Sequence, residues 1–273
     1  MLNKNTNKNA LSLDEMLDEF NKHGGTPENY LSDHYQRYWI TLQEFSSTWK
    51  DHSLNRVLDV GAHWLHQSLV WRHAGFLVTA VDLPGTFEVD SVKRLAQTHD
   101  ILLRKCPDLE QAKEFESFPD NSFDIILFSE IIEHITFNPV KFWTQIHRIL
   151  SPGGRIIITT PNFYSWKGRA WNPYRYIKGM GGGINVDDIL GLHTYAHHWR
   201  EYTRSEIKRY FELLSPDFTV AKSKTLRTYT PSKKKWKRVV QSILEVMPGV
   251  RPNLHVEIQI NTKTNGITAK PHW

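Results

Sequence analysis

Apolar residues recur every three or four positions along the first fifty residues. Leu13, Met16, Leu17 and Phe20 make one series, and Tyr35, Trp39, Leu42, Phe45 and Trp49 make a second. That period places each set on one face of a helix. Gly24-Gly25-Thr26-Pro27 falls between them, and two glycines with a proline are poor helix interior. Two helices are therefore expected over 1–52, forming a helical cap ahead of the first strand.

After Asn55 the pattern changes to short runs apolar on both faces, separated by amphipathic stretches. The runs are Arg56-Val57-Leu58-Asp59-Val60, Leu77-Val78-Thr79-Ala80-Val81-Asp82, 101–103, Phe123-Asp124-Ile125-Ile126-Leu127-Phe128 and 155–159. Strands buried in a parallel sheet look like this, and the helical stretches serve as crossovers. Ser151-Pro152-Gly153-Gly154 reads as the turn before the fifth strand. Two further strands are expected at 218–226 and 254–261, the last alternating well between apolar and polar positions. The fold class is α/β: a doubly wound, mostly parallel seven-stranded sheet with an N-terminal helical cap. Residues 53–273 then form one domain, with a long loop at about 161–200 suited to a lid or substrate loop.

Composition adds little to this picture. A chain of 273 residues with 40% hydrophobic and 23% charged residues is an ordinary globular protein, neither disordered nor embedded in a membrane. Cys106 is the single cysteine, which excludes an internal disulfide and a cysteine-based zinc site. With no apolar run near the ~20 residues of a spanning helix, and no leader-like start, a cytoplasmic, unprocessed protein is expected. The net charge of +5 is concentrated at Lys4, Lys8, Lys233, Lys234, Lys235, Lys237 and Arg238, so it says little about a nucleic-acid partner. Ten Trp and fourteen His suggest an aromatic core or an aromatic-lined pocket.

In an open parallel sheet, ligands sit beyond the C-terminal strand ends, where the strand order reverses. The first strand closes on Asp59-Val60-Gly61-Ala62, and the second ends in Asp82, placed to accept hydrogen bonds from ribose hydroxyls. From Gly61 to Asp82 is one strand-helix-strand unit. The G-x-G-x-x-G fingerprint that seats a pyrophosphate is absent.

Taken with Phe123-Asp124-Ile125-Ile126, Glu130-Ile131-Ile132-Glu133-His134 and Leu150-Ser151-Pro152-Gly153-Gly154, these segments occur in the order found in class I S-adenosylmethionine-dependent methyltransferases. The chain resembles that family over about 55–211. The resemblance implies a methyltransferase domain over 53–273 that uses S-adenosylmethionine, with cofactor contacts at Asp59, Gly61, His63, Asp82, Leu83, Asp108, Leu109 and Ser129. One feature departs from it: the family usually has further glycines after Gly61, where this chain has His63, Trp64 and Leu65. The expectation is an atypical pocket shaped by His63 and Trp64.

Methyl transfer to a hydroxyl needs the acceptor aligned and its proton removed. If 130–134 is helical, Glu130, Glu133 and His134 share one face at i, i+3 and i+4. Two carboxylates and an imidazole suit a divalent cation, which lowers the pKa of a bound hydroxyl. The combination of Glu130, Glu133 and His134 with Thr160-Pro161-Asn162, and with His198 ahead of Glu201-Tyr202-Thr203-Arg204, resembles metal-dependent 2′-O-methyltransferases of small-RNA 3′ ends. The first element also resembles ubiquinone-pathway O-methyltransferases. Carried over, the metal ligands are Glu130, Glu133, His134 and His198, with Mg2+ or Mn2+ as the ion. Without a metal, His134 or His198 is the candidate general base. His193 and His197 read mainly as loop residues, and Thr203 with Glu206 reads as a helix-starting capping box.

The acceptor is the least legible element. Lys167, Arg169, Arg175 and Lys178 alternate with Tyr164, Trp166, Trp171, Tyr174 and Tyr176, which suits stacked bases with phosphates or a sugar with an anionic handle. The expected reaction is O-methylation of a small or glycan-like substrate, such as a sugar of a surface polysaccharide or a secondary metabolite. RNA ribose 2′-O-methylation is the enzymatic alternative, and a degenerate Rossmann-like binding module the non-enzymatic one. A basic helical insertion at about 232–248 is expected either to pack by its apolar face or to make a peripheral contact with a membrane or polyanion.

Overall fold

The computed structural model describes residues 11–27, 29–49, 55–166, 168, 177, 184, 186–228 and 234–272. Two helices, α1 (Leu13–Lys22) and α2 (Tyr30–Ser46), precede β1 (Arg56–Val60). Then follow α3 (His66–His73), β2 (Leu77–Asp82), α4 (Pro84–Glu88), α5 (Asp90–Thr98), β3 (Leu102–Lys105) and β4 (Phe123–Ser129). After α6 (Val140–Ile149) come β5 (Leu150–Pro161), α7 (Val186–Gly191), α8 (Arg204–Leu214), β6 (Phe218–Leu226), α9 (Lys235–Leu244) and β7 (Asn253–Ile260).

The seven strands lie in the order β3-β2-β1-β4-β5-β7-β6. β1 to β5 are parallel, and β7 runs antiparallel to both β5 and β6. The fold is therefore the expected α/β arrangement, wound in both directions from β1 and β4. Successive strand residues point to opposite faces. Leu58, Val60, Ile126, Phe128, Ile156 and Ile158 join the core beneath α6 and α8, while Val57, Ile125, Leu127 and Ile157 join the core beneath α1, α2, α3 and α5. Trp143 and Trp71 are fully buried, one in each core, so part of the unusual aromatic content is structural.

Several expectations shift in detail. The buried stripe of α2 runs through Leu31, Tyr38, Leu42 and Phe45, leaving Trp39 at its edge. Ser151-Pro152-Gly153-Gly154 lies inside β5 as a bulge: Phe123 pairs with Leu150 and Ile125 with Arg155, with Gly153 at φ +80°. β3 is an edge strand shifted one residue on from the run that suggested it, and its exposed Leu102 and lysine end reflect that position. The insertion helix α9 forms, but it packs by its polar side, with Gln241 as its buried residue. α8 starts with the expected capping box: Thr203 accepts from the Glu206 N–H, and Glu206 reaches back to the Thr203 N–H. Among the described residues no helix is long and apolar enough to cross a membrane.

Candidate functional site

A cavity of about 1240 Å³ opens over the C-terminal ends of β1, β2 and β4. This is the point at which the winding reverses between β1 and β4, where such sheets place ligands. Asp59, Gly61, His63, Asp82, Leu83, Asp108, Leu109 and Ser129 all line it, as do Glu130, His134 and His198.

Asp59 ends β1 almost wholly buried, its Oδ2 accepting from Ser68 Oγ at 2.6 Å. Burial pushes its carboxyl up to about 7, against the lowering effect of the Ser68 hydroxyl and with a smaller push from Asp82. Gly61 follows at φ +75°, and a Cβ there would lie 2.1 Å from Ile131 Cδ1, so a side chain would both displace Ile131 and strain the backbone. His63 at φ +48° and Leu65 at φ +66° keep left-handed backbone at two positions where the resembling family usually carries glycine. Each holds a conformation that costs an L-residue about 1–2 kcal/mol.

The turn is held in that shape by Asp82. Its Oδ2 accepts the His63 N–H at 2.7 Å, while Oδ1 accepts the Leu83 N–H at 2.7 Å and the Thr86 hydroxyl at 3.1 Å. The loop after β3 is tied to the same strand, Cys106 N–H donating to the Asp82 carbonyl at 2.8 Å. Asp108 Oδ1 then accepts from the Glu110 and Gln111 N–H groups.

The segment after β4 is not an α-helix, and this changes the expected cation site. Glu130 takes φ +55°, and only Ile132–His134 forms a 3-10 turn. Glu130 turns instead to Arg37 of α2, 3.3 Å away, and accepts from Asn253 Nδ2 at 2.9 Å. Glu133, His134 and His198 do converge, with one ligand atom from each lying within 4.8 Å of the others. Glu133 is fully buried, and its Oε2 accepts from Thr160 Oγ1 at 2.9 Å. Burial and the nearby Glu130 hold its carboxyl well above the usual range. Its backbone carbonyl accepts the Trp199 and Arg200 N–H groups, which docks the 197–200 segment. Burial, and then the neighbouring His198, push His134 down to about 4, so its imidazole is neutral at pH 7. The His134 and His198 rings meet edge to face with centroids 4.7 Å apart.

His197 is buried and bonded to the Asp188 carbonyl at 2.8 Å, a structural role; His193 stacks on Tyr195 at the surface. Of the aromatic and basic loop residues, Lys167, Arg169, Trp171, Tyr174, Arg175, Tyr176 and Lys178 lie outside the described residues.

Two contributions were missed in the sequence. Tyr30, His34, Arg37 and Tyr38 of α2 form a wall of the cavity, so α2 belongs to the site as well as capping the fold. Gln67, in the first turn of α3, also lines it, and both its amide atoms are buried without a hydrogen-bond partner among the described residues, as is the Ser129 hydroxyl. Buried polar groups are normally satisfied. An amide facing a cavity in this state offers a donor and an acceptor to whatever occupies the cavity. The only hint in the sequence was a glutamine at the start of the helix after β1.

Residues 58–158 match the family model described as a methyltransferase domain. The chain is 32% identical over 110 residues to the malonyl-[acyl-carrier protein] O-methyltransferase of Serratia marcescens, covering 40% of this chain and 39% of that relative. It is 28% identical over 220 residues to the ubiquinone biosynthesis O-methyltransferase of Dechloromonas aromatica, covering 73% of this chain and 85% of that one. Among solved structures it is similar to the Burkholderia thailandensis 1,6-didemethyltoxoflavin-N1-methyltransferase, at a TM-score of 0.53 and 16% identity over 92% of this chain and 87% of that one. The chain is thus similar to methyltransferases over residues 58–158, and its fold is similar to that of a solved methyltransferase.

Proposed function

We propose that this protein transfers the methyl group of S-adenosylmethionine to a hydroxyl oxygen of a small or glycan-like acceptor. The observation that carries the reading is that one cavity is lined both by residues at the ends of β1, β2 and β4 and by His134 and His198. At about 1240 Å³ it exceeds the ~300–1,000 Å³ usual for one small ligand, so cofactor and acceptor can lie in it together. The two relatives carrying O-methyltransferase names favour oxygen as the acceptor atom.

The residues present fit the cofactor. Asp82 has lone pairs for ribose hydroxyls, and the unpartnered Gln67 amide and Ser129 hydroxyl offer donors and acceptors to the amino-acid end. The sulfonium supplies an already activated methyl carbon, leaving alignment, dehydration and deprotonation to the protein. His198, or the neutral but weakly basic His134 beside it, takes the acceptor proton.

Glu133, His134 and His198 are also a donor set for a divalent cation. The Glu133 Oε1 and His134 Nδ1 atoms are buried without a hydrogen-bond partner among the described residues. With Glu130 committed to Arg37, two imidazoles and one carboxylate remain, which suits Mn2+ better than Mg2+. Such an ion would lower the pKa of an acceptor hydroxyl.

Calorimetric titration with S-adenosylmethionine and S-adenosylhomocysteine, with and without Mg2+ or Mn2+, tests the reading. Micromolar binding supports it. Transfer of labelled methyl to sugars, phenols and RNA 3′ ends then identifies the acceptor, and only an RNA acceptor brings the steep salt dependence of phosphate contacts. Absence of cofactor binding under every condition would leave the non-catalytic binding module. Full activity after EDTA treatment would remove the cation from the mechanism and leave the histidines.

A further inference from the structure

The helix α9 is turned inside out. At 100° per residue, Trp236, Val239, Val240, Ile243, Val246 and Met247 fall on one side of the helix and the short turn after it, with Gln241 and Glu245 opposite. A helix resting on a globular core buries the apolar side. Here Trp236, Ile243 and Val246 are 65%, 63% and 64% exposed, whereas Gln241 and Glu245 are 6% and 7% exposed. The polar side is the one turned to the protein: Gln241 Nε2 donates to Glu245 Oε1 at 3.0 Å within it, and the Glu245 carbonyl is tied down by Arg227 and Arg251, from which it accepts.

The charges decide what this face fits. Lys235 and Lys237 flank the apolar side on its two edges, Arg238 lies beyond, and all three are exposed. Glu245 is the sole acid over 234–247, and it is buried. Pairing the face with a second copy of itself would oppose like charges, whereas an anionic lipid surface offers an apolar interior to the face and negative headgroups to its edges. The topology agrees. α9 connects the end of β6 to the start of β7 at the end of the sheet to which β1, β2 and β4 also run, and Asn162, just past β5, donates to the Gly249 and Arg251 carbonyls behind it.

We infer that α9 and the turn after it are an interfacial helix that seats the protein on anionic bilayers, with Trp236, Val239, Ile243 and Val246 in the acyl boundary and Lys235 and Lys237 at the headgroups. The inference is independent of the proposed reaction, since its readout is partitioning and not turnover.

The test is co-sedimentation of the full chain with vesicles of phosphatidylcholine alone and of phosphatidylcholine with phosphatidylglycerol. Binding is expected to the anionic vesicles and to fall with salt. Ile243→Glu should lower the partition coefficient at least tenfold with an unchanged melting temperature, because its side chain contributes to no core. Lys235→Gln and Lys237→Gln should each lower it about fivefold. The inference is overturned by lack of binding to anionic vesicles at low salt, by binding that survives Ile243→Glu, or by a dimer in solution that Ile243→Glu dissociates.

Discussion

The backbone N–H of His63 donates to the Asp82 carboxylate at 2.7 Å, so the side chain ending β2 holds the left-handed turn that leaves β1. The same carboxylate accepts from Leu83 N–H and Thr86 Oγ1. Asp82→Ala removes all three acceptor contacts. Hydrogen bonds to a charged group contribute about 1.5–3 kcal/mol each where desolvated, and less on a partly exposed group such as this one. The expected result is a melting temperature lowered by several degrees and S-adenosylhomocysteine affinity reduced at least tenfold by calorimetry. Unchanged affinity would move the ribose contact elsewhere.

His63 meets the opposite demand. Its φ of +48° suits glycine, and its ring extends to Tyr30 and Trp64, with centroids at 5.1 Å and 5.7 Å. His63→Gly relieves about 1 kcal/mol of backbone strain, offset in part by the freedom glycine adds to the unfolded chain. It also widens the cavity. Cofactor affinity is expected to hold or rise, with little change in melting temperature. A loss of affinity beyond tenfold would show the ring itself to be a ligand contact.

The strands were legible because buried parallel strands write themselves as short, doubly apolar runs, and Asp59, Gly61 and Asp82 stand at their ends, where topology places a ligand. The helix expected over 130–134 does not form, because the spacing of Glu130 to Glu133 and His134 is helical while the backbone of Glu130 is not. The residue lies at φ +55°, drawn away by Arg37, ninety-three positions earlier in the chain. No local pattern reports such a partner. The same holds for α2: its heptad-like apolar series indicated a helix, but not that Tyr30, His34 and Arg37 would face a cavity formed mainly by later strands. Likewise, the amphipathic pattern of α9 was plain, whereas which side faces the protein depends on Arg227 and Arg251 reaching the Glu245 carbonyl.

His66 supplies a pH signature for the junction between the N-terminal helices and α3. It lies beside Phe20, Tyr30 and Tyr38, with Nε2 3.0 Å from Thr26 Oγ1. Burial, and then the charges of His63, His34 and Arg37, push it down to about 3. The folded state therefore binds fewer protons than the unfolded one between about pH 6.5 and 3, and the contribution to stability is full above 6.5 and lost as pH falls through that window. Asp59, raised to about 7, acts with the opposite sign. The effect should accordingly be read as a difference: His66→Gln should remove about 2 kcal/mol of the destabilisation between pH 7 and pH 5. Urea melts of both proteins at the two pH values measure it, and parallel curves would show that His66 titrates normally.

Arg37 and Glu130, 3.3 Å apart, join α2 to the loop after β4, and their side chains are 12% and 17% exposed. Removing one partner leaves the other charge largely buried, at a cost of up to about 3 kcal/mol after allowing for residual solvent. Removing both leaves no such charge. Arg37→Met and Glu130→Gln should each destabilise the fold, and the double variant should lose less than the sum by at least about 1 kcal/mol. Denaturant melts of the four proteins close the cycle. A coupling near zero would mean that the two side chains are separately solvated and that α2 is held against the cavity by its apolar stripe alone, in which case Glu130 is released to join Glu133, His134 and His198 around a cation.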